Sequence, residues 1–425
     1  MQVVKVQRSV AVAIFHFAAI VCAWLLLCLP AAGTSLVTGN GFGLAVVSPD
    51  TGTLTKFYAH PYSLSAPDPA NPLSEGIETA SFFKSLSWGN DAPQNTSVEY
   101  LDDSQVIQAR KGAAEGFFFM PFGWQQAVLI VGWEPDETSH GNFRVEWNRP
   151  ITFQKVIRKS GIEMQLLRFD GIRESLLLVP LGQKRAAPAG SPPYLSTSLG
   201  WAFISLEEEG ELEAKVRGFL RWQSGLSPKA LARREVAEVG RWRVKSRAPL
   251  AGETERRLWR QSEVVLRMAQ SREPNRPGRH NNGLILASLP EGPWFTPWVR
   301  DMAYATVALA RMGHCAESRA AILAYFNAQP TGKMRAETAG ADYQISVVRY
   351  FGDGSEEPFF TLEGSTNIEF DNWGLVLWTL GEYQQNCQDP GLLRTPTYRG
   401  QFYDSAKDYV VKPLIANLEK FPLSQ

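Results

Sequence analysis

The chain is poor in cysteine and histidine and has no surplus of charge. Of 425 residues four are Cys and five are His, and 43 Lys and Arg are balanced by 43 Asp and Glu. A protein that neutralises many phosphates needs a basic surplus or a basic stripe, and neither exists here, so nucleic acid is excluded as a partner. His16, His60, His140, His280 and His314 are scattered, and no Cys/His spacing resembles a metal site; neither metal nor cofactor is expected. Long hydrophobic runs are also missing, except for one at the amino end. What is abundant is apolar and aromatic side chain, 44% and 11% of the residues, which excludes disorder as the main state and suits stacking on flat ligands such as sugar rings. The length suits two domains, or three at most.

The one apolar run belongs to an export segment. Lys5 and Arg8 precede an apolar stretch from Val10 to Leu29, and Pro30-Ala31-Ala32-Gly33 supplies small residues for cleavage, so residues 1–33 read as a signal peptide. About 20 apolar residues also suffice to span a bilayer, which leaves anchoring through residues 10–29 as the alternative. Either way the chain is expected to be exported, periplasmic or extracellular. Cys22 and Cys28 lie in this segment. Cys315 and Cys387 remain, either as a disulfide or as two small buried hydrophobes. Asn95-Thr96-Ser97 matches a glycosylation sequon, relevant only in a eukaryotic secretory host.

Two textures follow. From Ser35 to Gln223 the pattern is that of strands: Phe42 to Val47 and Thr53 to Tyr58 flank a Pro-Asp-Thr-Gly turn, and further β-rich runs occupy Ala127 to Trp133, Phe143 to Trp147, Ile151 to Ile157, Ile162 to Phe169, Leu176 to Pro180 and Trp201 to Leu206. Their short spacing predicts an antiparallel sandwich over residues 34–224, with a surface loop at Arg185 to Pro193. Pro228 to Val239 reads as a helix within a linker, 225–252. From Glu253 to the end the period is helical. Leu258, Ser262, Val265 and Ala269 share one face of the first helix. The second is predicted to start at Thr296 as N-cap with Pro297 following, and to stop at Gly313; its partner carries Ala316, Ala320, Leu323 and Phe326, and the two should form an αα-hairpin. A later helix is expected from Thr366, with Glu369 completing a capping box and Trp373, Val376, Leu377, Leu380 and Tyr383 on one side. The last is expected over Asp404 to Phe421, with Val411, Leu414, Ile415 and Leu418 in register.

The chemistry concentrates between the first two of these helices. Asn282-Gly283-Leu284-Ile285-Leu286-Ala287-Ser288-Leu289-Pro290-Glu291-Gly292 leads to Trp294 and then to Trp298-Val299-Arg300-Asp301. An aromatic face, a guanidinium fork and a carboxylate within one turn are the parts that grip a pyranose ring and its vicinal hydroxyls. The structural alternative is that Asp301 complements a helix N-terminus and Trp298 is core.

This run resembles glycoside hydrolase family 15, the glucoamylase family, whose catalytic barrel carries Trp-x-Arg-Asp after a Ser-Leu-Pro-Glu-like approach. Ile368-Glu369-Phe370-Asp371-Asn372-Trp373-Gly374 is similar to a later Gln-Leu-Asp-x-x-Gly core, with Glu369 and Phe370 in place of Gln-Leu. Gly39-Asn40-Gly41-Phe42-Gly43, the Thr51-Gly52-Thr53-Leu54 turn and Phe57-Tyr58 are similar to the start of the sandwich of bacterial members. The resemblance implies a multidomain β plus α protein: a β-sandwich followed by an (α/α)6 toroid of the six-hairpin type. It also implies that Arg300 and Asp301 grip the terminal glucose of an α-glucan or α-glucoside, that Trp298 walls that subsite, and that Asp371 lies nearby as a binding residue.

An inverting glycosidase needs an acid and a base about 6.5 to 9.5 Å apart. In the family both are Glu residues beyond the stretch that Asp371 matches, so both are expected beyond Gln425. Residues 253–425 hold about six helices where a ring of six hairpins needs twice as many, so only the first half of the toroid is expected, and the chain reads as an inactive fragment. Glu291, Glu363, Glu369 and Glu382 read as a solvated loop residue, a residue before a helix, a capping partner and a helix-surface residue. The favoured function is an inverting exo-acting α-glucoside hydrolase; a phosphorylase of related fold and a noncatalytic glucan-binding module are the alternatives.

Overall fold

The computed structural model describes residues 35–63, 81–88, 96–134, 142–182, 194–196, 199–246, 252–292, 294–332, 340–357 and 371–417, with short pieces at 250, 335, 360–362, 365–367 and 369. The leader, the sequon asparagine, the loop over 185–193, Glu363, Leu418 and Phe421 lie outside the described residues.

Fourteen strands build two antiparallel sheets. In chain order they are β1 (Leu36–Gly39), β2 (Gly43–Val47), β3 (Leu54–Ala59), β4 (Phe83–Trp88), β5 (Thr96–Tyr100), β6 (Ile107–Lys111), β7 (Ala114–Phe119), β8 (Val128–Glu134), β9 (Asn142–Trp147), β10 (Ile151–Lys159), β11 (Ile162–Phe169), β12 (Ser175–Pro180), β13 (Tyr194–Ser196) and β14 (Gly200–Leu206). The first sheet has the order β1-β2-β3-β4-β9-β13 and the second β10-β11-β12-β14-β8-β7-β6-β5. Alternation along the strands fills the space between them with Phe57, Phe82, Phe83, Trp88, Trp133, Phe118, Leu129 and Phe203. The hairpin expected around Asp50 is present: β2 pairs with β3, and the ring nitrogen of Trp88 donates to the carbonyl of Gly52 at 2.9 Å.

Both sheets bury part of their outer faces as well, which is why β8, β12 and β14 read as continuous apolar runs. The second sheet is covered by two helices, α1 (Leu212–Gln223) and α2 (Pro228–Trp242), through Val216, Phe219, Leu231 and Ala232. The strand texture expected up to Gln223 therefore ends at Leu206, and the rest of that stretch is an amphipathic helix. Ser227 caps α2 by accepting from the amide of Ala230, with Pro228 at the first helical position. The first sheet turns Val37, Leu44, Val46 and Tyr58 toward the core of the carboxyl-terminal helices. Tyr62 fixes that contact by donating to the carbonyl of Met268 at 2.5 Å.

Those helices are α3 (Glu253–Ala269), α4 (Val299–Met312), α5 (Cys315–Asn327), α6 (Asp371–Cys387), α7 (Phe402–Ala406) and α8 (Lys412–Asn417), the last two joined by a π-helical turn over Lys407–Val411. Gly313 ends α4 in the left-handed conformation, and only His314 follows before α5, so α4 and α5 form the expected hairpin. Helices α4 and α6 run parallel side by side. Their ion pairs Arg300–Asp371 and Arg311–Glu382 both join residues 71 apart, a constant offset that only parallel helices can keep. At the far end Cys315 and Cys387, 72 apart, form a disulfide.

Three helix readings need correction. Leu258 is 67% exposed and Val265 is exposed too; α3 buries Glu263, Val264, Met268 and Ala269 instead. Its inner face mixes apolar residues with a charged one, Glu263, which bonds to His314 at 2.9 Å, so apolar periodicity pointed to the wrong side. Thr366 does not cap a helix: Ser365–Asn367 pairs antiparallel with Phe360–Leu362, and α6 begins at Asp371. Ile415 is 72% exposed, so it does not share a buried face with Leu414.

Candidate functional site

Helix α4 begins two residues later than its sequence suggests, and the reason defines the site. Residues 296–298 are extended against 348–350: the amide of Val299 donates to the carbonyl of Val348 at 3.0 Å, and that of Tyr350 to Pro297 at 3.1 Å. Thr296 does not cap the helix. Its hydroxyl accepts from Nη1 of the buried Arg349 at 3.2 Å. Trp298 is thereby held in extended conformation at the N-cap position, with Arg300 and Asp301 in the first turn of α4.

Arg300 forks onto Asp371, its Nε and Nη2 donating to the two carboxylate oxygens at 3.2 and 2.9 Å. Its Nη1 lies 3.2 Å from Glu369. Asp371 sits in the first turn of α6, where the helix dipole favours its charge. A planar guanidinium thus bridges the amino ends of two parallel helices, with Arg300 and Asp371 only partly covered and Glu369 almost enclosed. Glu369, expected as a capping side chain, is an ion-pair partner instead. Asp301 stands beside this clamp. Partial burial lifts its carboxyl above the ordinary range, opposed by the charge of Arg300.

Trp298 is 7% exposed, and the guanidinium of Arg349 lies 5.1 Å over its ring. Trp294 meets Trp298 edge-on at 5.3 Å and is itself 42% exposed, so it offers the open aromatic face here. The structure therefore brings Trp298, Arg300, Asp301 and Asp371 to one end of α4 and α6, and adds Trp294, Arg349 and Glu369. A charged residue inside the apolar run from Ile345 to Phe351 was a signal for Arg349. Glu291 is exposed in the preceding loop with a positive φ of 70°, and Glu382 is held by Arg311 and Trp378. Among the described residues no group of His, Cys, Asp and Glu could hold a metal ion, and no helix is long and apolar enough to cross a membrane.

No protein-family profile and no curated protein matches the chain. Solved structures do. A bacterial glucoamylase complexed with acarbose aligns over 91% of this chain and 58% of its own, at 11% identity and a TM-score of 0.51. A candidate kojibiose phosphorylase from the human microbiome aligns over 85% and 53%, at 8% identity and a TM-score of 0.41, and a GH92-family glycosyl hydrolase over 83% and 60%, at 12% and 0.31. The chain spans less than two thirds of the length of each. At 11% identity the likeness to the glucoamylase structure concerns the fold alone: an antiparallel β region followed by helices.

Proposed function

We propose that this chain belongs to an exported, inverting, exo-acting hydrolase of α-glucosides that releases glucose from nonreducing ends, and that the amino ends of α4 and α6 bind the terminal sugar. In this reading residues 1–33 direct export or anchor the chain, 34–224 form the sandwich domain, 225–252 the linker, and 253–425 contribute hairpins to an (α/α)6 ring, with α4 and α6 in one layer and α5 in the other. The Cys315–Cys387 disulfide supports an oxidising compartment.

The observation that carries the proposal is the Arg300 clamp beside a half-open tryptophan, within a fold similar to that of a glucoamylase. Asp301 and Asp371 would accept from vicinal hydroxyls, Arg300 would hold Asp371 and Glu369 in place, and Trp294, backed by Trp298, would wall the sugar. The general acid and base are assigned to none of the described carboxylates.

Calorimetric titration of the purified chain with maltotriose and with cellotriose tests this. Saturable binding of the α-linked trisaccharide alone is expected, weakened at least tenfold by Trp294→Ala and by Arg300→Lys, since an ammonium cannot replace the planar fork. No binding of maltotriose, or binding indifferent to both variants, would refute the assignment.

A further inference from the structure

Arg267 and Arg272, outside this site, pair with no carboxylate among the described residues. Arg267, near the end of α3, is sandwiched between aromatic rings, 3.8 Å from the centroid of Phe122 and 4.1 Å from that of Trp242. Its Nη1 is buried without a hydrogen-bond partner. Arg272, five residues on, uses Nη1 to donate to the carbonyls of Asn40 and Phe122 at 3.1 and 2.8 Å; among the described residues no carboxylate lies within ion-pair distance of either guanidinium. Burial presses both guanidinium pKa values down, that of Arg267 to about 10, where the charge of Arg272 adds to the effect.

Both line one cleft of about 250 Å³, together with Gln270, Ser271, Asn282, Ala316, Glu317 and Ala320. The carboxylate there, Glu317, is engaged by the ring nitrogen of Trp242 at 2.6 Å. Next to the lining residue Asn282 the chain is packed tightly: at Gly283, φ +87°, a Cβ would stand 2.1 Å from the carbonyl oxygen of Ala320. Glu317 and Glu235 favour both charges from a distance, but neither pairs with a guanidinium directly, and an unsatisfied buried donor raises the folded state's energy. Cation–π contact with Phe122 and Trp242 offsets part of that cost and fixes the planes, so the remaining donors are preorganised. The cleft lies by the start of α5, at the other end of α4 from Arg300, about 20 Å away along a 14-residue helix.

We propose that this cleft binds a small oxyanion, a phosphate or a carboxylate, between Arg267 and Arg272. Guanidinium forks match the oxygens of either group, and the hydroxyl of Ser271 supplies a further donor. The volume exceeds that of a bare inorganic ion and admits a polar body attached to it.

The test is calorimetric titration of the full 425-residue chain with inorganic phosphate and, separately, with citrate, at low ionic strength. At least one should bind saturably at millimolar concentration or below, and the arm that does identifies the group. Arg272→Gln should weaken it at least tenfold. Glu317→Gln, which keeps an acceptor for Trp242 but removes the negative charge, should tighten it, a change of opposite sign that a destabilised fold would not produce. Neither anion binding to the wild-type chain, or affinities unchanged in both variants, overturns the proposal.

Discussion

Arg300 makes contact with two carboxylates at once, and removing it is more than the loss of one bond. Arg300→Ala leaves Glu369, whose side chain is 10% exposed, without that charge partner, and unfolding in urea should show a loss of about 1–2 kcal/mol. Glu369→Gln in the Arg300→Ala background should recover part of it, because a neutral amide needs the lost guanidinium less than a carboxylate does; no recovery would mean the pair is not coupled. Trp-x-Arg-Asp made Arg300 and Asp301 legible in the sequence, and Asp371 followed from the second motif. Glu369 was misread because a Thr three residues before a Glu fits a helix start, whereas Thr366 is held in a hairpin by backbone pairing with Thr361. Trp294 was visible as a neighbour, but only packing shows that Arg349 covers Trp298 and leaves Trp294 open.

At the scale of elements, the fastening of α5 to α6 is covalent. The disulfide closes a loop of 72 residues, which in the chain-entropy account is worth about 4 kcal/mol, with measured values of about 2–5. Cys315→Ser should lower the urea midpoint accordingly, and a change below about 1 kcal/mol would show that the bond adds nothing the packing does not. Gly283 is a second element-level constraint. Gly283→Ala drives a methyl into the backbone of α5 at a left-handed position and should cost at least about 2 kcal/mol, whereas Gly252→Ala, with open space around it, should change stability little. Helices were legible where their inner faces are apolar, as in α4 and α6. Helix α3 was placed correctly and turned wrongly, because Glu263 stands on its buried side while Leu258 and Val265 stand on the exposed one.

The whole molecule depends on a buried charge cluster where sandwich meets helices. His60, which follows β3, lies 2.9 Å from Glu207 after β14 and 3.0 Å from Glu273 after α3; Arg279 reaches both acids, and Arg276 pairs with Glu207. Burial pulls the His60 pKa down, but Glu273 and Glu207 outweigh it and lift the value from 6.5 to about 9. Glu207 is held well below the ordinary range, burial opposing and His60 with the arginines prevailing. The signs fix a window. The His60 contribution, on the order of 3 kcal/mol, is complete below its unfolded pKa of 6.5 and lost as pH rises through about 9; that of Glu207 is present above about 4.5 and lost on further acidification. Thermal melting should therefore peak between about pH 4.5 and 6.5, and His60→Gln should flatten the alkaline limb; an unchanged limb would rule the cluster out as its source. Alternation and turn residues made the sandwich legible, but this cluster joins residues 60, 207 and 273, which no local pattern links.

The parallel course of α4 and α6 has an electrical consequence. Neighbouring helices that run antiparallel attract pole to pole, whereas two that run the same way present like poles at each end and repel. The pair is held against that repulsion by a guanidinium bridge at the positive end and a second ion pair along its length, while at the negative end a covalent bond ties α6 to α5, the helix into which α4 turns. Of these three fasteners, the bridge at the positive end is the one made of the groups proposed to hold the sugar. A ligand that drew Arg300 away from Asp371 would loosen the helices, and one that bridged both would draw them together, so occupancy and helix spacing are mechanically linked.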